Sequence, residues 1–229
     1  MRKVLITLVV LLVLLAVGAV VADRVVHART EARLEDELSG QVDVDGGPDL
    51  TVHGFPFLTQ LLDEELQHVT VRASGLRVEG LDLRDVHAEA YGVGIAEPHP
   101  ATDVTATATV PLATVEERVR DAGLDVDIEA SADDGFLRLT TELLGTELGL
   151  SARPEAVAGE LRLSVEEVTL AGRTASLADL GLEDVDSVPV PLEGLPDSLD
   201  VQAVTVVDDG VRVELTGQEV PLAELAELG

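Results

Sequence analysis

The 229-residue chain contains no Cys, no Trp and no Asn, and a single Lys, Lys3. Without Cys there can be no disulfide framework, thiolate zinc site, iron–sulfur cluster, cysteine nucleophile or lipidated-cysteine anchor. Lys3 is too close to the start to serve a P-loop or a Schiff base. Aromatic residues are 2% of the chain, with Phe55, Phe57, Tyr91 and Phe136 as the whole set. Positive charge is scarce as well: 44 Asp and Glu oppose 15 Lys and Arg, a net charge of −29. Such a chain repels phosphate backbones, so a nucleic-acid partner is excluded.

Val, Leu and Ala are abundant, and they are arranged in two ways. Residues 4–22, VLITLVVLLVLLAVGAVVA, form an uncharged run preceded by Arg2 and Lys3. About 20 such residues are needed to cross a hydrocarbon core, and the leading cations favour a cytoplasmic start with the remainder exported. Residues 1–22 are therefore expected to be a signal anchor. The alternative is a signal peptide cleaved after Ala22. Residues 23–40 keep helical character, with Glu31 and Glu35 at i, i+4 and a stop at Ser39-Gly40, and are expected to form a helical stalk.

From residue 41 to 229 the period is two. HVTVRA, GLRVEG, TDVTATATV, LDVDIEA, GFLRLTTEL, GELRLSVEEVTL and VQAVTVV alternate apolar with polar or small residues. That pattern marks strands with one buried face and one wet face. Ser74-Gly75, Asp133-Asp134-Gly135 and Asp208-Asp209-Gly210 are the turn signals between them. Many antiparallel strands of this kind predict one β-rich α+β domain over 41–229, built on a large curved sheet. Helices are expected at Pro111–Asp121, with Leu112, Val115 and Val119 on one face, at Phe57–Leu66 and at Ser176–Leu182. Val188-Pro189-Val190-Pro191 predicts an extended connector. Val69-Thr70-Val71 with Gly75–Glu79 matches Val204-Thr205-Val206 with Gly210–Glu214, and Val110–Ala113 recurs as Val220–Ala223. These matches predict either a repeated architecture or strands alike by chance.

Catalytic motifs are missing. There is no G-x-S-x-G elbow and no H-E-x-x-H, and Gly92-x-Gly94 lacks the third glycine of a dinucleotide fingerprint. Asp43, Asp45 and Asp49 lack the spacing of a calcium loop. The five His, at 27, 53, 68, 87 and 99, are expected to be surface residues, and no metal or other cofactor is called for. The segment that stands out is Gly54-Phe55-Pro56-Phe57-Leu58-Thr59-Gln60-Leu61-Leu62, which holds two of the three Phe residues. It reads either as a hydrophobic staple into a short helix or as the apolar lip of a groove for an aliphatic tail. Each buried methylene of such a tail contributes ~0.8 kcal/mol, so a lipid groove needs no catalytic group.

An export segment, then Val52-x-Gly54-Phe55-Pro56-Phe57-Leu58-Thr59-Gln60, then HVTVRASGLRVEGL and long alternating strands, resembles the actinobacterial LmeA-like (lipomannan elongation factor A) family of cell-envelope proteins. The resemblance covers about residues 40–229. It implies a non-enzymatic protein that holds or shuttles a phospholipid, of phosphatidylinositol type, in an apolar groove. The implied fold is TULIP-like, a strongly curved antiparallel sheet wrapped on one or two helices. By that analogy Phe55, Phe57, Leu58, Leu61 and Leu62 line or gate the groove, and Leu112, Val115 and Val119 face the sheet. The charge of −29 opposes adsorption to an anionic leaflet, so a headgroup would need placed cations. Arg72, Arg77 and Arg84 are one candidate group, Arg118 and Arg120 another. The expected location is the cell membrane, single-pass with an exported C-terminal domain, or the exterior if the leader is cleaved. A scaffold module of an envelope assembly, with protein partners and no lipid, is the alternative function.

Overall fold

The computed structural model describes residues 20, 23–33, 43–45, 48–78, 81–121, 127–143, 145–176, 187–190 and 197–223. Apart from residue 20, the apolar run at 4–22, expected to be the membrane anchor, lies outside these, as do residues 34–40 of the expected stalk. Among the described residues no helix is long and apolar enough to cross a membrane.

Among the described residues thirteen strands form two antiparallel sheets. The larger runs β1 (Asp43–Asp45), β3 (Glu65–Val78), β4 (Leu81–Gly94), β5 (Pro100–Pro111), β13 (Gly210–Pro221), β12 (Leu199–Val207), with β2 (Asp49–His53) also on β3. The smaller runs β10 (Arg173–Ser176), β9 (Glu160–Leu170), β8 (Thr146–Val157), β7 (Phe136–Leu143), β6 (Ile128–Asp133), with β11 (Ser187–Val190) on β9. Helices are few: α1 at 23–33, α2 (Phe57–Leu62) and α3 (Leu112–Asp121). Neither sheet closes into a barrel among the described strands.

The single large sheet expected from the alternation is thus two sheets. After β5, Pro111 ends the ladder and α3 carries the chain away. β6 to β10 then pair each with the next, and the chain rejoins the first sheet at β12 and β13. Two turn signals hold. Asp134 and Gly135 take φ +48 and +81, the positive angles a tight two-residue hairpin needs, and Asp208-Asp209 joins β12 to β13. Ser74-Gly75 is no turn. It lies inside β3, with Gly75 opposite Arg84, because the alternation on both sides stays paired to β4. The match between residues 69–79 and 204–214 therefore compares one continuous strand with a hairpin. The expected helix from Phe57 ends at Leu62 because Glu65 already belongs to β3, and Val188-Pro189-Val190 is strand, not connector. Pro189 is tolerated there because β11 lies at the margin of the sheet. Of the expected helix Ser176–Leu182, Ser176 ends β10 and the rest lies outside the described residues.

The other sequence repeat is structural. β5 and β13 are antiparallel partners, and each ends in Val-Pro-Leu-Ala as the chain turns helical. The Leu112 N–H donates to the Asp209 carbonyl and the Leu222 N–H to the His99 carbonyl, each at 3.2 Å. The two exits are related by a local two-fold.

The core gathers in two clusters. One contains Leu50, Val52, Phe57, Leu66, Val93, Ala101, Val104, Leu199 and Val220, with Val26 of α1 and Leu61 of α2 against it. The other joins Val201, Val211 and Val213 of the large sheet to Leu137 of the small one, under Leu112 and Val115 of α3. A bridge between Gly159 and Val201 fixes the two sheets at this point, the Val201 N–H donating to the Gly159 carbonyl at 2.9 Å.

Candidate lipid-binding surface

Cross-strand register decides which side chains share a face. On the large sheet one face collects Val52, Val69, Ala90 and Val104 in one row, Leu50, Val71, Ala88, Ala106 and Leu215 in the next, and Ala108 and Val213 beyond. The two core clusters occupy the two ends of this face. Ala90 packs against the first cluster, and beside it the central strands β4 and β5 present Ala88, Ala106 and Ala108, all half-buried. Methyl side chains there leave the middle of the face low and partly exposed between larger Val and Leu side chains.

The small sheet has an apolar face of the same kind, carrying Ala130, Leu139, Leu150, Leu163, Val165 and Val168. Ala130, Leu139, Ala156 and Leu161 of that face pack against the second cluster, so the apolar surfaces of both sheets meet there. Past the cluster the face runs on into solvent, ending at exposed Leu148 and at Leu170, which is 57% exposed. The outcome is one apolar strip, from the alanine floor past the cluster under α3 to Leu170, buried at the two clusters and partly exposed at the alanines and at Leu148 and Leu170. It can receive an aliphatic chain; it offers no charged group along its length between Ala88 and Leu215.

The structure places the expected site residues unequally. Phe57 is fully buried, stacked on His27 with ring centroids 4.8 Å apart, so this half of the Phe pair is a structural staple. Leu61 packs inward beside it, and Leu58 is half-buried. Phe55 and Leu62 point outward, 57% and 83% exposed. Leu112 and Val115 face the second cluster, as their spacing requires, with Val119 half-buried a turn further on.

The three Arg do not converge. Arg77 donates to Asp82, with Nε to Oδ1 at 2.6 Å, and holds that carboxyl below the usual carboxylate range. Arg84 lies 3.8 Å from Asp209. Arg72 makes no ion pair among the described residues. It lines a shallow cavity of about 470 Å³ with Asp49, Ser74, Asp85 and His87. Arg72 sits opposite His87 in the β3–β4 register and so on the polar face, away from the apolar strip. Arg118 and Arg120 close the last turn of α3 and are exposed.

That polar face also holds a cluster the sequence did not disclose. His53, His68 and Tyr91 stack across β2, β3 and β4 at 4.4 and 4.3 Å. Tyr91 donates to Glu89 at 3.0 Å, which lowers the Glu89 carboxyl and raises the Tyr91 phenol. His87 reaches the same carboxylate at 3.3 Å. Burial, then the neighbouring His53, lowers the pKa of His68, against the pull of Glu89. The hydroxyl beneath the rings, Thr70, is itself buried and lies 2.8 Å from His53 Nε2. On the other face, the residues that sequence reasoning left unmarked are the alanines of β4 and β5. Their signal was present as the AxA repeats in β4 and β5, but small residues read as filler until the register aligns them.

These features define a two-sheet, β-rich protein with an apolar surface that is only partly buried among the described residues. The chain belongs to the LmeA-like phospholipid-binding family, whose model matches residues 21–216. No curated protein and no solved structure matches the chain.

Proposed function

We propose that this protein holds or shuttles a phospholipid of the cell envelope by laying acyl chains along the apolar strip, without chemistry on the lipid. The observation that carries this reading is the half-buried floor of Ala88, Ala106 and Ala108 between the two core clusters, in a chain of a phospholipid-binding family. Ten buried methylenes would supply roughly 8 kcal/mol, enough to retain a lipid with no strong headgroup contact. The strongly curved, tubular arrangement implied by the family resemblance is part of this proposal, with α3 as the helix the sheets wrap. So is a membrane anchor at residues 4–22 with the remainder exported.

A non-catalytic role is supported by the absence of nucleophile motifs and by the burial of Thr70, which keeps the hydroxyl nearest the imidazoles out of solvent. Headgroup preference is expected to be weak for anionic lipids, since Arg77 and Arg84 are already matched with carboxylates.

The test is native mass spectrometry of the full chain released from membranes in mild detergent. The expected result is a bound phospholipid of intact mass. Ala88→Phe and Ala106→Phe should each remove it at least about tenfold while circular dichroism stays unchanged, as a ring standing on the floor blocks the path of the acyl chain. A lipid-free wild type would overturn the reading and favour the scaffold; a hydrolysed lipid would favour an enzyme.

A further inference from the structure

We propose that the α2 tip, formed by Val25, Phe55, Leu58 and Leu62 with Arg24, docks on the bilayer surface and holds the domain at a fixed height and tilt. The inference rests on the proposed anchoring of residues 4–22, and it concerns the surface next to that anchor, not the lipid-holding strip.

α2 is apolar on both sides. Phe57, Gln60 and Leu61 occupy its inner face at i, i+3, i+4, all buried or packed on the core. Leu58 and Leu62, at i, i+4, occupy the other face. With Phe55 just ahead of the helix and Val25 on α1, three large apolar side chains lie exposed around one end of the fold: Val25, Phe55 and Leu62. Arg24 places its guanidinium over the Phe55 ring at 6.0 Å, which sets a cation beside the apolar tip.

The occupant is identified by the path of the chain. Asp23 is the first residue after the uncharged run, and it is buried, its Oδ1 accepting the Leu58 N–H at 2.7 Å. Two further side chains of α1 lock the same junction. The Glu31 carboxylate accepts the Val52 N–H at 2.9 Å, and His27 Nε2 donates to the Val52 carbonyl at 2.7 Å. A chain leaving the bilayer at Ala22 therefore has no slack before it is fastened to α2. Phe55 and Leu62 are then held at the membrane surface, and solvent exposure of both would be the odd outcome. Charge at this end is mixed: α1 exposes Arg24, Arg29 and Arg33, and Asp63, Glu64 and Glu65 are exposed just after Leu62, so the apolar side chains and the chain path, not net charge, carry the docking.

The chain lacks Trp, so a single introduced Trp reports its own surroundings. Phe55→Trp, Leu62→Trp and, on the polar face of the small sheet, Glu167→Trp are reconstituted as full chains in phosphatidylcholine–phosphatidylglycerol vesicles. A second set of vesicles carries bromine on the acyl chains near the headgroup. Phe55→Trp and Leu62→Trp should emit to the blue and lose emission to the bromines, at the depth of about 5–10 Å reached by interfacial residues. Glu167→Trp should do neither. If the chains float with the vesicles while both tip variants emit as in water, the docking is overturned and the anchor stands. Equal quenching at all three positions also overturns it, as unspecific adsorption. Chains that fail to float remove anchor and docking together, whereas the lipid-holding strip is tested separately by its bound lipid.

Discussion

The two sheets are built from similar alternating strands, yet they treat their apolar faces differently. The large sheet is covered at both ends, by α1 and α2 over Leu50 and Val52 and by α3 over Val211 and Val213. Among the described side chains of the small sheet, Ile128, Leu137, Ala152 and Pro154 are the buried apolar ones, and Leu148 and Leu170 end in solvent. The difference lies in the connections between strands. β2, β5 and β13 each lead into a helix or a helical turn that folds back, whereas β6 to β9 are joined by hairpins that supply nothing to lie on the sheet. One sheet consolidates the fold. The other, with the alanine floor, presents apolar surface that a ligand can cover.

Substitutions should separate the two regions. The largest effect is expected at Phe57→Ala, which empties the first cluster and should cost about 3–5 kcal/mol in urea unfolding. Leu170→Ala on the uncovered end should stay within about 0.5 kcal/mol. Comparable losses at both sites would erase the distinction. Next, Leu137→Ala removes the buried small-sheet contribution to the shared cluster and should cost about 2–5 kcal/mol. Both sheets should then lose stability together; loss confined to the small sheet in hydrogen exchange would show that they fold independently. Asp23→Ala strips the distant cap from α2 and should cost about 1–2 kcal/mol. Hydrogen exchange at Leu58 should rise with it, and protection unchanged there would detach α1 from the account.

The smallest effect concerns pH. The folded sheet holds His68 below its ordinary value of 6.5, so in that window the unfolded chain binds more protons than the folded one. Stability is therefore full above 6.5 and declines as pH falls from there through the lowered folded value. His68→Gln should flatten this slope in thermal unfolding between neutral and mildly acidic pH. A slope that persists would place the titration elsewhere.

Much of this was legible in the chain. Period two located β3, β5, β6, β7, β9 and β12, while β4 and β8 emerged only with the pairing, and Leu112 and Val115 marked the inner face of α3 before any register was known. The Gly-Phe-Pro-Phe segment was rightly singled out, but sequence could not say that Phe57 turns in and Phe55 out. That choice is made by α1, whose His27 stacks on Phe57 from 30 positions away. The division into two sheets was hidden because alternation reports burial and not partners. The alanine floor and the His53–His68–Tyr91 stack were hidden for the same reason: each exists only once β2, β3, β4 and β5 are in register.

The central claim is that acyl chains lie on the alanine-floored strip, and cross-linking tests it most directly. The full chain would be loaded with a phospholipid bearing a photoactivatable group on its acyl chain, irradiated, and digested for peptide mapping. Adducts on β4 and β5 around Ala88 and Ala106, continuing to β8 and β9, are the predicted result. Adducts confined to the opposite face, around Arg72 and His87, or spread evenly over the surface, would contradict it.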